Sequence, residues 1–144
     1  MATLPRQVEY ALMALTDMHR AHPGQLFAVR ALCDKHHVPF DVMSKAMQRM
    51  ARAGLLRAVK GVNGGYQIIK DLSAVTLLEL MEAIMGKVGT VACQRSGKPC
   101  PRNGGCNVSD SMGMLNRRFR DLYRDTMLLE LIDGSAPARA PRRE

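Results

Sequence analysis

Apolar residues recur along this chain with a helical period over most of its length. Val8, Ala11, Leu12, Leu15 and Met18 stand three and four apart, as on one face of a helix. They predict a first helix over residues 5–20, with Pro5 suited to its first position and His22-Pro23-Gly24 ending it. After a short extended piece over residues 26–28, Val29, Leu32 and Cys33 share one face of a second helix, 29–36. Asp41 is placed to cap a third helix that ends before Gly54. Its apolar stripe is Met43, Met47 and Met50, with Ala46 beside them, and Ser44, Lys45, Gln48, Arg49 and Arg52 occupy the other faces.

The period then changes. Residues 55–59 and 66–69 read as two strands joined by Lys60-Gly61-Val62-Asn63-Gly64-Gly65, a glycine-rich hairpin turn. Two helices across a tight corner, followed by two strands, predict a winged helix-turn-helix whose third helix reads DNA. A fourth helix follows over 75–85. A fifth, 109–124, carries Met112, Leu115, Phe119 and Leu122 as a seam and Arg117, Arg118, Arg120 and Arg124 opposite. Its seam needs a partner: the same helix of a second copy, giving a homodimer, or this chain's own first helix. A short last helix is expected over 127–132.

The fold class expected is mainly α: a winged helix-turn-helix with a two-stranded wing and a long C-terminal dimerisation helix. The divisions are 1–85 for DNA binding, 86–108 for a cysteine loop, 109–133 for the dimerisation and short C-terminal helices, and 134–144 for a disordered basic tail.

Composition agrees with a helical core. Aromatics make up 4% of the chain and Trp is absent, so Leu, Ala, Val and eleven Met must fill the interior. Net charge is +8. From residue 42 to 70 there are six cations (Lys45, Arg49, Arg52, Arg57, Lys60 and Lys70) and no acid. A solvated face ordinarily mixes signs, so the phosphate backbone of double-stranded DNA is their natural partner. No apolar run is long enough to span a bilayer and the N-terminus lacks a signal-peptide core, so a cytoplasmic location with reduced thiols is expected.

Candidate chemistry is concentrated in Cys93, Cys100 and Cys106, spaced C-x6-C-x5-C in a stretch rich in Gly and Pro. Such a stretch is expected to form no helix or strand interior. Lys87, Arg95, Lys98 and Arg102 accompany it without an acid, and cations beside thiols favour the thiolate that binds iron or reacts. Cys33 falls on an apolar face and reads as a buried structural thiol. The loop is open to three readings: a metal or cluster site, a thiol switch, or a thiol oxidoreductase. Zinc sites usually show a C-x2-C knuckle, which is absent. The third reading lacks a C-x-x-C pair at a helix start or any acid–base constellation, so an enzyme is not expected.

Glu9-Tyr10-Ala11-Leu12 in helix one, Ala53-Gly54-Leu55-Leu56 leading into Lys60-Gly61-Val62-Asn63-Gly64-Gly65-Tyr66, and the cysteine loop together resemble the Rrf-type bacterial regulators, which include IscR-like and NsrR-like members. The resemblance implies a homodimeric transcription regulator, acting on a palindromic operator, whose DNA affinity depends on a two-iron or four-iron iron–sulfur cluster. By position, Cys93, Cys100 and Cys106 would be ligands. Asp41, Ser44, Lys45, Gln48 and Arg49 would lie at the major groove, with Arg52 on the same basic helix. Lys60 and Gly61, with Asn63 at the wing tip, would meet the minor groove or phosphates. IscR-like members take a histidine three residues after the last cysteine as fourth ligand, and Ser109 stands there. NsrR-like members use an acid near the start of helix one, which makes Glu9 of the partner subunit the candidate. The resemblance implies repressors or activators, of which a repressor is expected here, and the signal implied is nitric oxide, redox state or iron–sulfur supply.

Overall fold

The computed structural model describes residues 4–134, apart from residues 96 and 103. Among the described residues, seven α-helices and one hairpin follow in the order α1 (Arg6–Arg20), α2 (Val29–His36), α3 (Phe40–Arg52), β1 (Leu56–Val59), β2 (Gly65–Ile68), α4 (Leu77–Met85), α5 (Ala92–Arg95), α6 (Ser109–Asp125) and α7 (Leu128–Asp133). This is the winged helix-turn-helix expected from the pattern. The apolar stripes meet in one core, in which Val8, Leu15, Leu32, Met43, Met47, Met50, Leu80 and Ile84 are fully enclosed. Methionine fills the volume that aromatic rings occupy elsewhere, because its unbranched side chain adapts to irregular gaps.

The corner between α2 and α3 depends on backbone geometry. His37 adopts the left-handed conformation (φ 54°), and its N–H caps α2 by donating to the Cys33 carbonyl. Pro39 then occupies the cap position of α3, in extended backbone that its ring favours. Asp41, expected as the cap, instead lies inside the first turn, where its charge complements the helix dipole. Asp17 ties the corner to α1: His36 Nε2 lies 2.7 Å and Lys35 Nζ 3.0 Å from its carboxylate. Burial would raise the Asp17 pKa, but the hydrogen bonds and charges of Lys35 and His36 outweigh it and hold it below the usual value of 3.8.

In the wing, Leu56 pairs with Ile68 and Val59 with Gly65, antiparallel. Phe27 adds a bridge to Tyr66, with both backbone hydrogen bonds at 2.9 Å, so the extended piece before α2 anchors the hairpin to the body. Gly64 is obligatory: a Cβ there would stand 2.2 Å from the Val59 carbonyl oxygen.

Helix α4 begins at Leu77, two residues later than the pattern predicts. Thr76 and Glu79 form a capping box, and the preceding turn, Leu72–Ala74, is a 3-10 helix held by Asp71. Helix α7 returns to the body. Met127 bridges Thr76, the Leu128 N–H donates to the Val75 carbonyl, and Leu128 and Ile132 are buried. The expected basic tail over 134–144 lies, but for Gly134, outside the described residues.

Candidate nucleic-acid interface and thiol loop

Asp41, Lys45, Gln48 and Arg52 are exposed along one side of α3, at spacings of four, three and four. Ser44 lies beside them, half-buried, and its hydroxyl accepts a hydrogen bond from Gln48 at 3.3 Å. Buried Met43, Ala46, Met47 and Met50 form the opposite side. At the wing, Lys60, Gly61 and Asn63 are all exposed, and Val62 projects fully into solvent at the tip. Arg57 reaches across the hairpin to Gln67 Oε1 at 2.7 Å. Among the described residues, Lys45, Arg52 and Lys60 make no ion pair with a carboxylate, so these cations face outward uncompensated.

Arg49 differs from the expectation. Its guanidinium is turned into the protein, where it donates to Gln7 Oε1 at 2.9 Å and to the Ile84 carbonyl. The residue is half-buried and joins the recognition helix to the start of α1 and the last turn of α4. The helical turn that exposes Lys45 and Gln48 rotates Arg49 toward the body, where both of its acceptors lie. Sequence spacing alone leaves it at the edge of the polar face, where either direction is open.

The cysteine loop is more ordered than its composition implies. Cys93 lies within a one-turn helix, α5, against the expectation that no helix forms there. Gln94 makes this possible. Its Oε1 accepts from the Thr90 N–H (3.1 Å), the Thr90 hydroxyl (2.8 Å) and the Val91 N–H (3.3 Å), satisfying donors at the start of α5. Its Nε2 donates to the Met112 carbonyl on α6 at 2.9 Å. Asn116 of α6 also accepts from the Thr90 N–H. Arg120 completes the attachment by donating to the Val88 carbonyl at 3.2 Å and pairing with Glu82 of α4 at 2.9 Å. Gln94 is inconspicuous in the sequence, and Arg120 reads there only as one of the arginines opposite the seam, because their roles depend on contacts between segments distant along the chain.

Cys93, Cys100 and Cys106 are free thiols that line one open cavity of about 630 Å³, together with Arg102, Ser109 and Met112. Cys93 is exposed and the other two are half-buried. Cys33 lies elsewhere, in the core, where burial and then Asp34 push its thiol pKa up despite Arg30 nearby; it is unsuited to ligation or reaction. Among the described residues no group of three His, Cys, Asp or Glu side chains stands in an arrangement that holds a single metal ion. Three thiols around a cavity of this size fit a larger sulfur-ligated group in donor type. Ser109 is on the cavity wall. Glu9 is not; it is exposed on the first turn of α1, in a recess with Leu4, Arg6 and Tyr10.

Helix α6 has no buried residue. Of its expected seam, Met112 and Phe119 are half-buried, whereas Leu115 and Leu122 are exposed. Its own-chain neighbour is α4, not the first helix: Leu115, Phe119 and Tyr123 share an apolar cavity of about 350 Å³ with Met81 and Met85. Met114 and Leu122 stay open to solvent.

A family model described as an iron-dependent transcriptional regulator, Rrf2, matches residues 4–134. The chain belongs to the Rrf2 family. Among its relatives, the HTH-type transcriptional regulator IscR of Cereibacter sphaeroides is 26% identical over 115 residues, covering 78% of this chain and 71% of IscR. Two solved structures share the fold. The global cysteine regulator CymR of B. subtilis gives a TM-score of 0.69 at 13% identity, covering 94% of this chain and all of that one. IscR of T. potens gives 0.67 at 12% identity, covering 99% and 94%. This Rrf2 protein is thus a transcriptional regulator of the DNA-binding type, with relatives that are regulators and not enzymes. None of its described helices is long and apolar enough to cross a membrane.

Proposed function

We propose that the protein is a homodimeric repressor whose grip on a palindromic operator is set by an iron–sulfur cluster on the cysteine loop, responding to nitric oxide, redox state or cluster supply. The observation that carries this reading is the single cavity walled by Cys93, Cys100, Cys106 and the start of α6. When bound, the cluster supplies a reversible, labile link between thiolates, which suits a sensor. The three cysteines would hold it, and Glu9 of the partner subunit is the candidate fourth ligand. Exposed Lys45, Gln48 and Arg52 meet the major groove, and Lys60, Gly61 and Asn63 meet the minor groove or phosphates.

The chain's own hydrogen bonds carry a change in the loop to the reading head. Gln94 fastens α5 to α6, and Arg120 fastens α6 to the loop entry and to α4. Arg49 fastens the end of α4 to α3. A shift of the thiol loop therefore loads α6, whose solvent-facing Met114, Leu115 and Leu122 are the surface proposed for the second copy, and α3 at the same time. Rotation of the two recognition helices relative to their half-sites alters affinity.

Anaerobic reconstitution with iron and sulfide, followed by native mass spectrometry, tests the reading. Wild type is expected to gain the mass of a cluster and Cys100→Ala to gain none. A wild-type mass without cluster rejects cluster binding. A second reading, a thiol switch without metal, is favoured by the exposure of Cys93. It requires that peroxide change DNA affinity in iron-free protein.

A further inference from the structure

We propose that Arg30 and Phe40 form a stacked pair that reads a thymine in each operator half-site, Phe40 against the thymine methyl and Arg30 on the neighbouring phosphate. The inference rests on the DNA-reading assignment and adds a specificity element to it. All six aromatic residues of the chain lie among the described residues, and Phe40 is the exposed one. It is 43% exposed at the first position of α3 and takes no part in the core. The other aromatics are half-buried, and most of them pack against the core.

Arg30 is placed just as unusually. It is exposed in the first turn of α2, where a cation opposes the helix dipole and no acid shares that turn, Asp34 standing one turn on. Its guanidinium carbon lies 5.0 Å from the centroid of the Phe40 ring. The cation–π contact holds the ring at the open end of the recognition helix. Neither position is explained by core packing or helix electrostatics: the phenyl ring stays exposed, and the arginine sits at the unfavourable end of its helix.

DNA accounts for both. Residues at the N-terminus of a recognition helix meet base edges, while the preceding helix crosses the phosphate backbone. The apolar feature presented by the major groove is the thymine C5-methyl, and Phe is one of the side chains that contact it. Guanidinium keeps its charge over the ring and still presents N–H donors at its edge to a phosphate. Asp41, Ser44, Lys45 and Gln48 supply hydrogen-bonding groups next to this pair, so the reading face would combine one apolar contact with several polar ones.

The test is selection of binding sites from a random duplex library by the full chain, with wild type, Phe40→Ala, Phe40→Leu and Arg30→Ala. Each thymine of the wild-type site is then replaced in turn by deoxyuridine, which lacks the methyl group, and affinity is read by fluorescence anisotropy. Wild type is expected to lose roughly fourfold at one thymine per half-site, the effect of one methyl group leaving an apolar contact. Phe40→Ala is expected to be indifferent to that replacement and to select sites without the thymine, and Phe40→Leu to keep a reduced sensitivity. Arg30→Ala should weaken thymine and uracil sites equally and lower the salt slope by about one. A wild type insensitive to deoxyuridine at every thymine overturns the inference without recourse to any variant. So does a Phe40→Ala protein that selects the same motif with the same sensitivity. A wild type that selects no motif at all rejects the DNA-reading assignment itself.

Discussion

Replacing Arg49 with alanine separates a structural role from a DNA contact. In the folded protein its guanidinium bridges Gln7 Oε1 and the Ile84 carbonyl. A hydrogen bond from a charged donor contributes about 1.5–3 kcal/mol where it is well shielded. Arg49 is half-buried, and water can replace part of what is lost, so both bonds together are expected to contribute about 2 kcal/mol. Unfolding entropy of about 2.1 cal/mol/K per residue over 144 residues converts this to a Tm fall of about 7 °C. Arg49→Lys should recover less than half of it, because one ammonium cannot span two acceptors on different helices. Thermal unfolding by circular dichroism measures the loss, and anisotropy titrations between low and physiological salt measure the DNA contact. Lys45→Ala should lower the salt slope by roughly one and leave Tm nearly unchanged. Arg49→Ala should do the reverse. An Arg49→Ala protein with unchanged Tm and a salt slope reduced like that of Lys45→Ala would refute the reasoning.

Gly64→Ala should disrupt the wing, since the added Cβ meets the Val59 and Gly61 carbonyls; loss of operator affinity with a largely retained helical spectrum is the expected result. At the corner, His37→Val should destabilise by about 1 kcal/mol and His37→Gly should not, because only the latter accepts φ 54° freely; denaturant unfolding decides. Asp17→Asn should flatten the acid limb of stability. A depressed folded-state pKa stabilises above the unfolded value of 3.8 and loses that contribution as pH falls below it, so wild type should lose its advantage over the variant at pH below about 4. Thr76→Ala removes one half of the capping box of α4 and should cost about 1 kcal/mol in the same unfolding assay.

What sequence alone determined about this protein is periodic or local. The stripes of Val8 to Met18 and Met43 to Met50, the glycine turn at residues 60–65 and the acid-free run from 42 to 70 established helices, wing and charge, because side-chain period and turn chemistry act between near neighbours. The three cysteines were equally plain, since thiols so close in an irregular stretch already limit the chemistry. Tertiary structure decided which way side chains at the edge of a face turn, and which distant segments meet. Arg49 reads as one more cation of the recognition helix until Gln7 and Ile84 supply acceptors for it. Gln94 reads as a loop residue until Met112 and the Thr90 amide come within reach, and those bonds build the one-turn helix that composition argued against. Leu128 and Ile132 belong to a short final helix in sequence and to the core in space. Each of these depends on partners far along the chain, whose proximity only the packed core creates.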